Sequence, residues 1–324
     1  MNYALRLART LAVAMLAALA ATAARADTYP SSKITLIVAF APGGVADTVA
    51  RLIGQGLSEK LHQTVVVENR GGAGGNIAAG IVARAQGDGY TLLVTTTALA
   101  INATLHQTNP FKPEDFATVA IAASSPEALV TSPDNPAKDL ADLIKLAKDR
   151  PITFGSAGVG SGSHVEAEYF LKALAHVNAT HVPFQGGAPA INATLGKQID
   201  VLATTLGGAA AAQINAGKLK GLGIAADKRA AVVPDVLTYA EQGFTEFTAA
   251  SWVGVFAPAK TDPKIVAALN AAILQVIKSD AVQRRLTGIG FDPLDLPQPQ
   301  AQAMFADEIG KWGRMVKTLG LSVK

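Results

Sequence analysis

The residues with the most reactive side chains in sequence proximity are Ser161, Ser163 and His164, which close the run GSAGVGSGSH from Gly155. A serine beside an imidazole is a potential nucleophile and base. Neither serine sits in a GxSxG elbow, however, and no acid is placed by sequence to orient the ring. Histidine at a helix start serves more readily as a donor or contact than as a base. The other four histidines, His62, His106, His176 and His181, show neither HxxxH nor HExxH spacing, so metal catalysis has no support. The chain has no cysteine, which excludes disulfides, thiolate metal sites and a lipidated N-terminal cysteine. What remains is a chemistry of fixed hydrogen-bond donors.

Those donors cluster in glycine-rich turns. Lys33 to Arg51, KITLIVAFAPGGVADTVAR, runs from an apolar segment through Pro42-Gly43-Gly44 into a pattern with Val49, Leu52, Ile53 and Leu57 on one face. That order predicts a buried strand, a tight turn and a helix. A glycine pair there leaves N–H groups uncovered at the helix start, where the helix dipole favours an anion. No Lys-Ser or Lys-Thr follows, as a P-loop requires, and no GxGxxG is completed. The turn therefore suits a carboxylate or phosphate held by main-chain amides, although a glycine turn after a strand is also ordinary α/β punctuation. Gly43, Gly44 and Val45 can aim N–H groups at one anion, and Ser161 and Ser163 at another. Charge-assisted bonds to ionised oxygens are about twice as strong as neutral ones, so a few donors suffice without arginine. Asp47, in the first turn, reads as a residue ordering the turn or as a contact. Phe40 and Phe184 read equally as core or as pocket wall.

The elements that must position these turns recur along the chain. Strands are predicted at Ile34 to Phe40, Thr64 to Glu68 and Tyr90 to Thr95, with a helix at Ile77 to Ala85. Further strands fall at Phe116 to Ala123, Ala128 to Thr131, Ile152 to Ser156, Thr180 to Phe184, Asp200 to Thr205, Leu219 to Ala225 and Trp252 to Ala257. Helices follow many of them, including one opened by Asp262-Pro263, a cap residue and a proline at the first position. A last helix carries Phe305, Ile309, Trp312, Val316 and Leu319 and closes at Gly320. Strands alternating with helices predict parallel sheet covered by helices. Ligands in such folds sit beyond the carboxyl ends of strands, where the Gly43 turn and the polar tip Thr95-Thr96-Thr97 both lie. Two batches of such units predict two α/β lobes sharing a cleft.

The N-terminus sets the address. Arg6 and Arg9 precede an apolar run, Leu11 to Ala21, that ends in Ala24-Arg25-Ala26. Residues 1–26 thus read as a secretory signal peptide, too short to span a membrane. Removing Arg6, Arg9 and Arg25 and no acid brings the formal charge of +3 to zero, so the pI of 9.0 belongs to the precursor. A neutral chain has no bulk electrostatic reason to bind nucleic acid or anionic lipid. Export without cysteine fits a bacterial periplasm. A hydrophobic content of 49% with 16% charged residues describes a folded globule.

Five blocks taken together carry a resemblance: AFAPGGVADTVAR, VVVENRGGAGGNIAA, GSAGVGSGSH, HVPFQGGAPAINATLGKQID and PDVLTYAEQG. In that order, from about Tyr29 to the C-terminus, they resemble the Bug family, the TctC-like solute-binding proteins of tripartite tricarboxylate transporters. The resemblance implies an α/β Venus-flytrap fold of two lobes closing on a small carboxylate, no cofactor or metal, no catalysis and a membrane permease as partner. A monomer is expected. It implies a first pincer at Phe40, Ala41, Gly43, Gly44, Val45 and Asp47. It implies a second at Ser156, Gly160, Ser161, Ser163 and His164 with Phe184, Gln185 and Gly186. The strand tips Thr96, Thr97 and Thr204 complete the expected site. The lobes are expected at 27–128 with 252–302, and at 129–251 with 303–324, which puts the last helix against the second lobe. The tip Ala203-Thr204-Thr205 departs from relatives that often carry an aspartate and an aromatic there, which bears on the pocket wall. The function implied is capture of a mono- or dicarboxylate, aliphatic or aromatic, for import. A periplasmic hydrolase using Ser161 and His164, or a solute-sensing adaptor, are the alternatives.

Overall fold

The computed structural model describes residues 29–245 and 247–323, so the expected signal peptide lies outside the described residues. In chain order the elements begin with β1 (Ile34–Val38), α1 (Val45–Leu61), β2 (Val65–Asn69), α2 (Asn76–Ala83), β3 (Thr91–Thr96) and α3 (Ala98–Leu105). A long strand β4 (Phe116–Thr131) leads to α4 (Leu140–Asp149), β5 (Ile152–Ser156), α5 (Gly162–Glu168), β6 (Ala179–Pro183), α6 (Gly187–Leu195), β7 (Val201–Thr205), α7 (Ala209–Asn215) and β8 (Lys220–Ile224). The chain then returns through β9 (Ala250–Pro258), α8 (Pro263–Ile277), α9 (Asp280–Gly288), β10 (Asp292–Pro293) and α10 (Gln298–Thr318).

The strands order as β2-β1-β3-β9-β4-β7-β5-β6, with β8 and β10 also paired to β4. In the first lobe β1 runs parallel to β2 and β3, and in the second β5 runs parallel to β6 and β7. Both faces of such strands are covered by helices, which is why β1 and β7 are buried almost throughout. The fold is the two-lobed α/β architecture that the repeating units predict.

β4 belongs to both lobes. Its residues up to Pro126 pair antiparallel with β9, whereas Glu127 to Val130 pair antiparallel with β7. The sequence suggests two strands because Ser124-Ser125-Pro126 interrupts the apolar run. The structure keeps one strand because those residues bridge the change of partner. Ser125 Oγ donates to the Gly290 carbonyl (2.7 Å) and accepts from Gly207 N (2.9 Å), tying the strand to neighbouring loops just before its partner changes.

The last helix differs from expectation. α10 packs on the first lobe, not the second. Phe305 meets Phe256 and Trp252 of β9, with ring centroids 4.9 and 6.0 Å apart. The indoles of Trp312 and Trp252 both donate to Glu308 Oε2, at 2.7 and 3.1 Å. Gln298 Nε2 donates to the Thr118 carbonyl, and Val323 N donates to that of Leu105 at the end of α3. The apolar stripe is legible in sequence, but the surface it meets is set by the aromatic cluster that β9 carries back into the first lobe. Asp262 caps α8 through Lys264 N (2.8 Å) with Pro263 in the first turn, as its sequence predicts. The helices α3, α7 and α9 were not anticipated, being short and not strongly patterned.

Candidate functional site

Turns from both lobes meet at the carboxyl ends of the strands. In the first lobe Gly43 adopts φ +77°, which favours glycine, and its N–H donates to Asp47 Oδ2 at 2.9 Å. Asp47 also accepts from Arg51 Nε (3.0 Å) and Nη2 (2.9 Å) and from Asn69 Nδ2 (2.9 Å). Burial alone would raise its pKa, but these donors outweigh burial and hold the carboxyl below its ordinary value. Its oxygens thus tie the turn together. The N-cap of α1 is Gly44, which has no side chain to cap the first-turn amides. α6 opens the same way at Gly186, whose φ is +136°.

The second lobe's loop is internally bonded. Ser161 caps α5 by accepting from His164 N (3.2 Å) and donates to the Gly158 carbonyl (2.7 Å), while Ser163 Oγ accepts from Ala157 N (3.2 Å). His164 Nδ1 accepts from Gly160 N (3.3 Å), and its ring stacks on His181 at 4.2 Å. Ser156 Oγ bonds to His181 Nε2 at 2.7 Å. Burial, then His181 and Lys172, pushes the His164 pKa down to about 3, and burial with Lys172 pushes His181 down to about 4. Such imidazoles stay neutral near pH 7 and are poor proton acceptors. Among the described residues the His164 ring makes no hydrogen bond to Ser161 or Ser163, so the geometry gives the hydrolase alternative no base. Among the described residues no group of three or more acidic, His or Cys side chains is placed to hold a metal.

The lobes touch. Ala41 N donates to the Gln185 carbonyl at 3.2 Å, and Gly186 lies against Ala41 and Phe40. Between them lies a cavity lined by Phe40, Gly44, Val45, Ala46, Thr96, Glu127, Ala157, Ser161, Gly162, Ser163, Gly187, Thr204, Thr205 and Ser251. It leaves about 30 Å³ for the centres of water-sized occupants, enough for about two waters. Of the expected residues, Phe40, Gly44, Val45, Thr96, Ser161, Ser163 and Thr204 line it, and Gly43 lines a smaller adjoining space. Ala41, Gln185 and Gly186 join the lobes instead. Thr97 bonds to Ser251 (3.2 Å) just behind the wall, and Phe184 packs with the smaller core of the second lobe. Asp47, Ser156, Gly160 and His164 hold the turns.

Sequence reasoning missed Glu127, Thr205 and Ser251. A lone acid directly after Pro126 in an apolar strand was the available signal for the first. Glu127 and its neighbour Glu166 are both buried. Burial, then Glu166, holds the Glu127 pKa well above its ordinary value, with the Thr205 hydroxyl opposing. Glu166, from an ordinary 4.5, is pushed up to about 7 by burial despite the Tyr239 hydroxyl donating to it at 2.6 Å. Between those pH values the folded chain holds a proton that the unfolded chain has released, so this group's contribution to stability falls as pH rises. Glu166→Gln is expected to flatten urea-melt stability between pH 4.5 and 7 relative to wild type. An unchanged slope in the variant would overturn that reading.

The family model described as the tripartite tricarboxylate transporter family receptor matches residues 49–321. Protein BugT of Bordetella pertussis is 37% identical over 307 residues, covering 92% of this chain and 93% of its own. The solved periplasmic binding protein BugD superposes with a TM-score of 0.87 at 30% identity, covering 91% of this chain and all of that one. MatC from Rhodopseudomonas palustris, solved with bound malate, gives 0.83 at 34% identity, covering 89% of this chain and all of that one. These likenesses span both lobes and the turns between them. The chain belongs to the TctC family, the periplasmic solute-binding receptors of tripartite tricarboxylate transporters.

Proposed function

We propose that this receptor captures a small mono- or dicarboxylate between its lobes and delivers it to a membrane permease of the tripartite type. The observation that carries the reading is the pair of glycine-capped helix starts, α1 at Gly44 and α6 at Gly186, at a shared cavity whose polar lining, among the described residues, is six hydroxyls and the Glu127 carboxyl, with no Lys, Arg or His. Uncapped first-turn amides are donors in search of an anion. The malate in MatC supports the same ligand class. The site is Phe40, Gly43, Gly44, Val45, Thr96, Ser161, Ser163 and Thr204, with Ala41, Thr97, Phe184, Gln185 and Gly186 forming its surround and Asp47, Ser156, Gly160 and His164 bracing its turns. The first lobe runs to Pro126 and resumes at β9 to keep α10. Residues 1–26 are removed on export, and the mature receptor acts as a monomer in the periplasm.

The lobes touch at Ala41 and Gln185, so entry requires them to part about the strands that cross between them, and closure follows. The test is a thermal-shift screen of the chain from Asp27 onward against aliphatic, aromatic and amino carboxylates. A ligand at 100 times its dissociation constant adds about 2.7 kcal/mol, or several degrees at roughly 2 to 4 °C per kcal/mol. A shift with one class of carboxylate, recovered unchanged, is the expected result. No shift with any carboxylate would overturn the reading.

A further inference from the structure

We propose that Glu127 receives a positively charged amino group of the ligand, so that the solute is an amino-bearing carboxylate rather than a simple acid. The inference rests on the carboxylate-receptor reading above and names the solute class more closely.

Glu127 sits where β4 leaves the first lobe's sheet and joins the second's, paired across to Thr205. Its main chain is fully used: its N–H donates to the Ala249 carbonyl and its carbonyl accepts from Ala225 N, both at 2.9 Å. Its side chain is free to face the cavity it lines. The residue is 0% exposed, Oε1 accepts only from Thr205 Oγ1 at 3.3 Å, and Oε2 has no partner. A buried carboxyl oxygen left unbonded costs free energy that a bound group can recover.

The identity of that group follows from charge. The polar side chains near Glu127 are the hydroxyls of Thr205 and Thr97, with Ser251 bonded to Thr97, Glu166 of α5 beyond and the Tyr239 hydroxyl bonded to Glu166. Among the described residues, no Lys, Arg or His lines the cavity. A second ligand carboxylate seated here would lie in low dielectric near two buried carboxyl groups without a cation. An ammonium instead supplies the missing positive charge, pairs with Oε2 and leaves the ligand's carboxylate to the helix starts. Burial and Glu166 disfavour the ionised form of Glu127, whereas an ammonium at Oε2 favours it, so binding of the amino ligand draws the carboxyl toward ionisation with release of a proton to solvent. Affinity for the amino ligand then rises with pH.

Two matched triads test this by calorimetry at pH 7 in buffers of different ionisation enthalpy: L-alanine, L-lactate and propionate, and L-aspartate, L-malate and succinate. The amino member of at least one triad is expected to bind at least tenfold more tightly than its matched partners, with net proton release. Glu127→Gln, which keeps the shape but cannot ionise, is expected to reduce that preference at least tenfold and abolish the proton release. Hydroxy or simple acids binding as tightly as amino acids, wild-type binding without proton release, or an unchanged preference in folded Glu127→Gln would each overturn the inference. If neither triad binds while another carboxylate does in the thermal screen, the inference is overturned and the receptor reading stands. If no carboxylate binds, both fall.

Discussion

Gly44→Asp is expected to abolish carboxylate binding while leaving the fold as stable as wild type. Gly44 is the N-cap of α1, in extended backbone at φ −78° and ψ 176°, which any residue adopts. A Cβ there would meet the Ala41 carbonyl oxygen at 3.3 Å, which a shift of a few tenths of an ångström relieves. Aspartate is among the best N-cap residues, and its carboxylate would accept from the same first-turn amides that the ligand uses. The substituted side chain thus fills the anion seat with an anion and adds like-charge repulsion. A loss of at least a hundredfold in affinity, about 3 kcal/mol, is the expected size. Calorimetry with the best carboxylate from the thermal screen measures it, and a urea melt reports the fold. Wild-type affinity in Gly44→Asp would remove α1 from the binding site.

Gly74→Ala is expected to weaken binding by preventing closure. Gly74, in the loop before α2, holds φ +61°, and a Cβ there would lie 2.1 Å from the carbonyl oxygen of Val159 in the second lobe's loop. Backbone oxygen cannot rotate away as a flexible side chain can, so the lobes must separate. The left-handed backbone costs roughly 1–2 kcal/mol in open and closed forms alike and cancels from the affinity. The clash exists only when the lobes touch. Gly217→Ala isolates the first cost, because Gly217 has φ +67° and nothing within 4 Å of its Cβ position. Both variants should lose similar stability in urea melts. Only Gly74→Ala should lose affinity, by tenfold or more, with small-angle scattering showing a more open form in the presence of ligand. Equal affinities would mean that the liganded receptor does not use this contact.

Much of this architecture is written in short-range pattern. The unbroken apolar run of β1 and the period of Val49, Leu52, Ile53 and Leu57 in α1 state their own conformations, because burial on two faces and on one face leave different spacings. The glycine turns are legible for a related reason: Gly43 and Gly186 carry positive φ that few other residues tolerate, and an uncapped helix start follows each. Hence the Gly43 turn and the turn preceding α6 could be located from the chain alone. The two batches of strand-helix units extended that reading to the paired lobes, and the family blocks agree with it.

Three features were decided only in three dimensions. Which sheet receives α10 depends on where Trp252 and Phe256 return, a contact between residues about fifty positions apart that one helix's periodicity cannot encode. β4 runs unbroken through Ser125-Pro126 because β9, far along the chain, stays paired with it there through Ser251 and Ala250, and Gly290 and Gly207 bond the Ser125 hydroxyl. Glu127 looks in sequence like a stray acid in an apolar strand. It becomes a cavity wall only because β7, β9 and α5 bring Thr205, Ser251 and Gly162 around it and leave one of its oxygens without a partner. Sequence determined the local conformations and the donors at the helix starts, since those depend on neighbouring residues. The charge that faces the cavity was settled by tertiary structure, since burial and the residues brought around Glu127 are properties of the whole fold.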